Sequence, residues 1–185
     1  MRNHILAICF DFGDTLADEG SEVKDASLTT LQAELIPGAD DLLHSLKAQG
    51  YKLALVADGR PGTYSNVLRQ HELYHLFDAF AISELLGVTK PDPTMFLHAL
   101  TQLGISTEDH GRTIMVGNRL DRDVNGANHV GMVSVWLDWA PRYGKIADGP
   151  DEIPRFTIRM PMELLGVIEQ LEADGRTTNG SGSRG

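Results

Sequence analysis

An α/β fold, with a mainly parallel sheet buried on both faces by helices, is predicted by two observations. Apolar, β-prone runs alternate along the chain with stretches whose apolar residues fall three and four apart, and the runs are continuously apolar rather than alternating. The runs are Ile5–Phe10, Leu53–Ala57, Ala79–Ile82, Thr113–Gly117 and Val133–Leu137, with a weaker one at Arg155–Ile158. Helical spacing holds over Ala39–Gln49, Tyr64–Leu73, Pro93–Leu103, Asp121–His129 and Met162–Ala173.

Taken in order, the first run stops abruptly at Asp11, where Gly13 permits a tight turn. The second ends in Ala57-Asp58-Gly59 and leads into the helix that closes on His71-Glu72-Leu73-Tyr74-His75. Lys90 precedes Pro91-Asp92-Pro93, a rigid turn that opens the helix carrying Met95, Phe96 and Leu100. The fourth run ends in Gly117-Asn118-Arg119, with Asn118 and Asp123 flanking the start of the next helix. Residues 1–173 are expected as one domain. Asp174 to Gly185 holds no apolar residue and is expected as a flexible tail.

Composition narrows the class. The chain has 185 residues, of which 42% are hydrophobic, enough for a full core without staples. A single cysteine, Cys9, sits in an apolar run, so no internal disulfide is available and a reducing, cytoplasmic compartment is the expectation. No stretch approaches the roughly 18 uninterrupted apolar residues of a membrane span. With 16 Lys plus Arg against 26 Asp plus Glu, the net charge of −10 disfavours nucleic acid and anionic membranes as partners.

In open parallel sheets ligands bind outside the carboxyl ends of the strands, so Asp11, Asp58 and Asn118 mark the places to inspect. Four ordered motifs at those ends resemble the haloacid dehalogenase superfamily: Ile8-Cys9-Phe10-Asp11-Phe12-Gly13-Asp14-Thr15-Leu16; Ile36 to Val56, leading to Ala57-Asp58; Gly87-Val88-Thr89-Lys90-Pro91 with Phe96; and Met115-Val116-Gly117-Asn118-Arg119-Leu120-Asp121-Arg122-Asp123 followed by Gly126-Ala127. The resemblance implies a three-layer, Rossmann-like sandwich. It also implies magnesium-dependent hydrolysis of a phosphate monoester through an aspartyl-phosphate, with Asp11 as nucleophile and Lys90 as the neutralising cation. Asp58, Gly59 and Lys90 are then expected around the substrate, and Asp11, the Gly13 carbonyl, Asn118 and Asp123 around Mg2+.

Three departures bear on activity. Members with phosphatase activity carry a second Asp, the general acid, two residues after the nucleophile; Gly13 stands there and Asp14 follows one place later. The hydroxyl of the second motif is replaced by Ala57, which leaves Asp58 as an added negative charge. The first Asp of the fourth motif is Asn118, an oxygen donor without charge. The gaps after Leu16 and after Asp58 are too short for a large cap domain. The site is therefore expected to be open, for a bulky or a small phosphorylated substrate, or covered by a homodimer partner or by the loop Asp138–Tyr143.

The rivals are three. A non-catalytic binding or regulatory module would keep the fold without the chemistry. A dehalogenase-type hydrolase needs no acid for its leaving halide and would use Asn118 and Asp121. His71-Glu72-Leu73-Tyr74-His75 matches a zinc pattern that requires one continuous helix through both His.

Overall fold

The computed structural model describes residues 3–180. β1 (Ala7–Phe10) is followed by a small antiparallel hairpin, β2 (Val23–Lys24) and β3 (Thr30–Gln32), and then by α1 (Ala39–Ala48). Next come β4 (Lys52–Ala57), α2 (Pro61–Gln70), β5 (Ala79–Ile82), the short α3 (Ser83–Leu86) and α4 (Pro93–Gln102). β6 (Thr113–Gly117), α5 (Asn125–His129), β7 (Val133–Leu137), β8 (Phe156–Ile158) and α6 (Leu164–Gly180) complete the chain. Six strands form one parallel sheet in the order β5-β4-β1-β6-β7-β8. After β1 the chain builds one side of the sheet and, after β5, crosses to the other, so the crevice beside the carboxyl end of β1 is a switch point.

Strand pleating sorts the core into two layers. Ile8 and Phe10 of β1, with Leu53, Leu55, Ile114 and Val116, point to the face covered by α1, α2 and α6. Ala7 and Cys9, with Ala54, Val56 and Met115, point to the face covered by α4 and α5. The second face is lined by small residues, Ala79 and Ala81 among them, and large α4 side chains fill the difference. Phe96 reaches α5 so closely that a Cβ on Gly126 would collide with its ring. Burial pushes the Cys9 thiol up to about 12, so it is an inert core group. Among the described residues no helix is long and apolar enough to cross a membrane.

All six predicted runs are strands of this sheet, and the described residues include no large cap. Two expectations change. The segment between Leu16 and Pro37 carries β2 and β3, which are fastened to α2: Thr30 N–H donates to Thr63 Oγ1 at 3.1 Å, and Asn66 Nδ2 donates to the Thr30 carbonyl at 3.0 Å. The tail expected from Asp174 is helical to Gly180, because α6 continues past Ala173 with Gly175 buried against the His4 ring. Residues 181–185 of that expected tail lie outside the described residues.

The two glycines at these packing extremes give a test. Gly126→Ala should destabilise by about 1–3 kcal/mol through overpacking against Phe96. Gly166→Ala, exposed inside α6 with nothing near its Cβ, should instead stabilise by about 0.5–1 kcal/mol. Urea unfolding midpoints that moved the same way for both would contradict the packing described.

Candidate active site

The end of β1 sets Asp11 beside β6, its N–H donating to the Val116 carbonyl at 2.9 Å. The turn before α4 delivers Lys90 beneath it, where the ammonium makes three bonds. Nζ donates to Asp11 Oδ1 at 2.6 Å, to Asp123 Oδ1 at 2.7 Å and to the Val56 carbonyl at 2.9 Å. The side chains of Lys90 and Asp123 are 2% and 1% exposed, whereas Asp11 keeps 13% and so faces the crevice. Burial works against the ammonium, but Asp11, Asp123 and Asp58 outweigh it and hold Lys90 above the usual lysine range. Burial likewise drives the Asp123 carboxyl upward, against the pull of Lys90.

Asp123 lies in a π-helical turn, Leu120–Val124, which swings its carboxylate back over the strand end. A Cβ on Gly117 would collide with it, so the glycine is what admits the carboxylate. Its second oxygen accepts the Arg119 N–H at 3.0 Å. With Lys90 on one oxygen and a peptide on the other, Asp123 buttresses the ammonium, and each of its oxygens keeps a second lone pair. Asn118 is buried, its carbonyl accepts from Trp136 Nε1 at 3.0 Å, and its side-chain nitrogen has no partner among the described residues. An unpartnered buried amide at the end of β6, next to the strand that ends in Asp11, is a group that awaits a ligand. Turned about its last bond it presents oxygen. The Asn118 amide oxygen, the Asp11 carboxylate and the Gly13 carbonyl are oxygen donors of the kind a hard cation such as Mg2+ takes.

The second strand end differs from expectation. Asp58 is not an uncompensated charge: Oδ1 accepts the Lys90 N–H at 3.0 Å and Oδ2 accepts from Arg122 Nη1 at 3.2 Å. Gly59 has φ of 149°, and its N–H donates to Ser83 Oγ at 2.8 Å, which turns that donor away from a substrate. Both residues nevertheless line a cleft of about 290 Å³ with Gly13, Glu19, Lys24 and Tyr64. The β2–β3 hairpin forms one wall of it through Lys24, Leu28 and Thr30.

Sequence reasoning missed how the first turn is held. The left-handed residue is Asp14, with φ of 51°, rather than Gly13. Asp14 is fully buried and cannot reach the crevice as an acid: Oδ2 accepts from Arg142 Nε at 2.7 Å, and Oδ1 from the Glu19 N–H at 3.1 Å. Arg142 also donates to Asp18 Oδ1 at 2.7 Å, and Tyr143 Oη donates to Glu19 Oε2 at 2.9 Å. Arg119 stacks on the Tyr143 ring at 4.2 Å. The loop after β7 is thus strapped to the turn after β1. The missing side chain at Gly13 has a local reason too, since a Cβ there would collide with the Glu19 carboxylate. Burial, and then the nearby Asp14, Asp11 and Glu22, raise the Glu19 carboxyl against the Tyr143 hydrogen bond.

Two rival sites dissolve. His71 ends α2, Glu72 turns left-handed with φ of 59°, and His75 lies in a separate 3-10 turn, so no single helix carries the pair. Asp121 is half exposed and its carboxylate is taken up by Arg119 at 2.6 Å.

The model of the haloacid dehalogenase-like hydrolases matches residues 13–131. The chain belongs to that family. A glyceraldehyde 3-phosphate phosphatase of Methanopyrus kandleri is 37% identical over 142 residues, which are 75% of this chain and 58% of that protein. The chain spans a little over half the length of the curated relatives it matches. Two solved structures share the fold: a HAD phosphatase from Thermococcus onnurineus, with a TM-score of 0.71, 21% identity and coverage of 89% of this chain and 98% of that one, and a 2-haloacid dehalogenase from Pseudomonas syringae, with 0.72, 20%, 90% and 99%. At such identities they speak to architecture alone.

Removing the ammonium should expose how much the strand ends depend on it. Lys90→Met leaves two carboxylates facing each other and should cost about 3–5 kcal/mol of stability. Adding Asp123→Asn should recover part of that loss. Chemical denaturation of both variants checks this, and a single variant as stable as the natural protein would refute the buried bridge.

Proposed function

We propose that this hydrolase cleaves phosphate monoesters of small organic molecules, with Asp11 as the nucleophile. The observation that carries the reading is the buried Lys90 ammonium bonded to Asp11 at a switch point, with one Asp11 oxygen left toward the crevice. Lys90 aims the carboxylate, and its charge offsets repulsion between Asp11 and an incoming phosphoryl group. Thr15 Oγ1 steadies the other oxygen, Asp11 Oδ2, at 3.4 Å. Asp123 keeps Lys90 in place, and Asp58, tied to Arg122, fixes the turn that carries it. Asp11, the Gly13 carbonyl and Asn118 would hold Mg2+, which supplies, when bound, positive charge for the phosphoryl oxygens. The cleft past Gly13 and Asp58 takes the organic part of the ester, where Lys24 and Arg60 are the cations within reach of a polar substrate. The phosphatase name of the Methanopyrus relative supports phosphate esters over haloacids, as does the surface position of Asp121.

Asp11→Asn should abolish turnover of every phosphate monoester in a panel assayed with and without Mg2+. Residual turnover in a preparation free of contaminating phosphatase would sink the reading. Asn118→Asp should tighten Mg2+ binding measured by calorimetry, since a carboxylate attracts a hard cation more strongly than an amide oxygen does. Equal or weaker binding would remove Asn118 from the donor set.

A further inference from the structure

We infer that Glu19 is the acid/base of this site, reaching in from the loop after β1 to the place where residue 13 has no side chain. The inference rests on the phosphate-ester reading above. Its first support is space: a Cβ built on Gly13 would strike Glu19 Oε1 and lie 2.8 and 2.9 Å from Glu19 Cγ and Cδ. The glutamate carboxylate thus begins where an aspartate side chain at position 13 would begin, two residues beyond the nucleophile. The second support is mounting. Asp14 accepts the Glu19 N–H, Asp18 accepts the Gly20 N–H at 2.8 Å, and Arg142 clamps both carboxylates. Tyr143 Oη holds Glu19 Oε2, which leaves Oε1 as the oxygen at Gly13. The third is charge. Asp11, Asp14, Asp18, Glu22 and Asp58 each have a Lys or Arg within 4.0 Å, whereas among the described residues the Glu19 carboxylate has none. Glu19 therefore stands in the cleft wall as a carboxyl held by a hydroxyl and not locked to a cation.

In the chemistry this assigns, Asp11 forms a bond to phosphorus while the bond from phosphorus to the ester oxygen breaks. The leaving oxygen keeps the electron pair and takes the proton of Glu19, departing as the alcohol. Glu19, now a carboxylate, removes a proton from water as the water oxygen attacks phosphorus. The Asp11–phosphorus bond then breaks, returning its electron pair to the carboxylate, and inorganic phosphate leaves with Glu19 reprotonated. Tyr143 is a positioning residue that acts through Glu19.

The test compares kcat/KM on matched alkyl and aryl phosphates, because an aryl oxide leaves without a proton and an alkoxide does not. Glu19→Gln should lower the alkyl value by about 10²–10⁴-fold, the usual worth of positioned proton transfer, and the aryl value by less than about tenfold. It should also leave phosphorylated protein detectable by intact mass after mixing with an aryl ester, since water then lacks its base. Tyr143→Phe should reproduce the alkyl-selective loss in weaker form. Glu19→Ala clears the space at residue 13, so adding Gly13→Asp to it should restore alkyl turnover, while Gly13→Asp alone, with Glu19 in its way, should not improve it. Equal losses on both ester classes, or no loss, in Glu19→Gln would overturn the assignment and leave the Asp11 reading standing. Absence of turnover on both classes in the natural protein would overturn the reading and the assignment together.

Discussion

One buried ammonium holds the working end of this sheet together. Lys90 bonds to the residue after β1, to the Val56 carbonyl near the end of β4 and to the segment after β6, so the ends of three neighbouring strands meet around a shared cation. Without it, Asp11 and the buried Asp123 would face each other with no cation between them. The surroundings repeat the device with more exposed cations, Arg122 on Asp58 and Arg142 on Asp14 and Asp18. A chain of net charge −10 can therefore present a crevice whose acidic side chains are mostly spoken for. Net charge describes the distant field of this molecule and says little about the few ångströms in which a phosphoryl group would sit.

The architecture was legible because it follows from local pattern. Short, continuously apolar and β-prone runs such as Leu53–Ala57 read as strands covered on both faces, and Asp11, Asp58 and Asn118 fall at strand ends by counting alone. The hairpin was not legible. β2 and β3 span two and three residues, mostly exposed, too short for a period to register, and they exist because Asn66, Thr63 and Gln70 of α2 bind their backbone. The π-helical turn at Leu120–Val124 was hidden for a related reason, since its sequence reads as an ordinary helix start and only the bond from Asp123 to Lys90 draws it inward.

The site was half legible. Sequence identified which acids matter but not their partners: Asp123 faces the ammonium and the Arg119 peptide, and Asp58 has a guanidinium of its own. Glu19 was invisible because nothing in a loop sequence distinguishes a solvated glutamate from one drawn over a glycine. The exchange of Gly13 and Asp14 resolves into two separate demands. The left-handed backbone is at residue 14, where Asp is among the more tolerant side chains and is held by Arg142, and the bare Cα is at residue 13, where Glu19 needs the room.

The strap from Arg142 to Asp14 joins residues 128 positions apart, and the bridge from Lys90 to Asp11 joins residues 79 apart. A ribosome emits the chain from its N-terminus, so the acids of the first turn emerge long before the cations that neutralise them. Until Lys90 and then the loop after β7 have been synthesised, Asp11 and Asp14 in turn have every reason to stay in water, and a compact intermediate built on β1, α1 and β4 would have to bury them bare. The charge pattern thus postpones closure of the crevice to the end of synthesis, when each buried acid meets its partner in a nearly finished sheet.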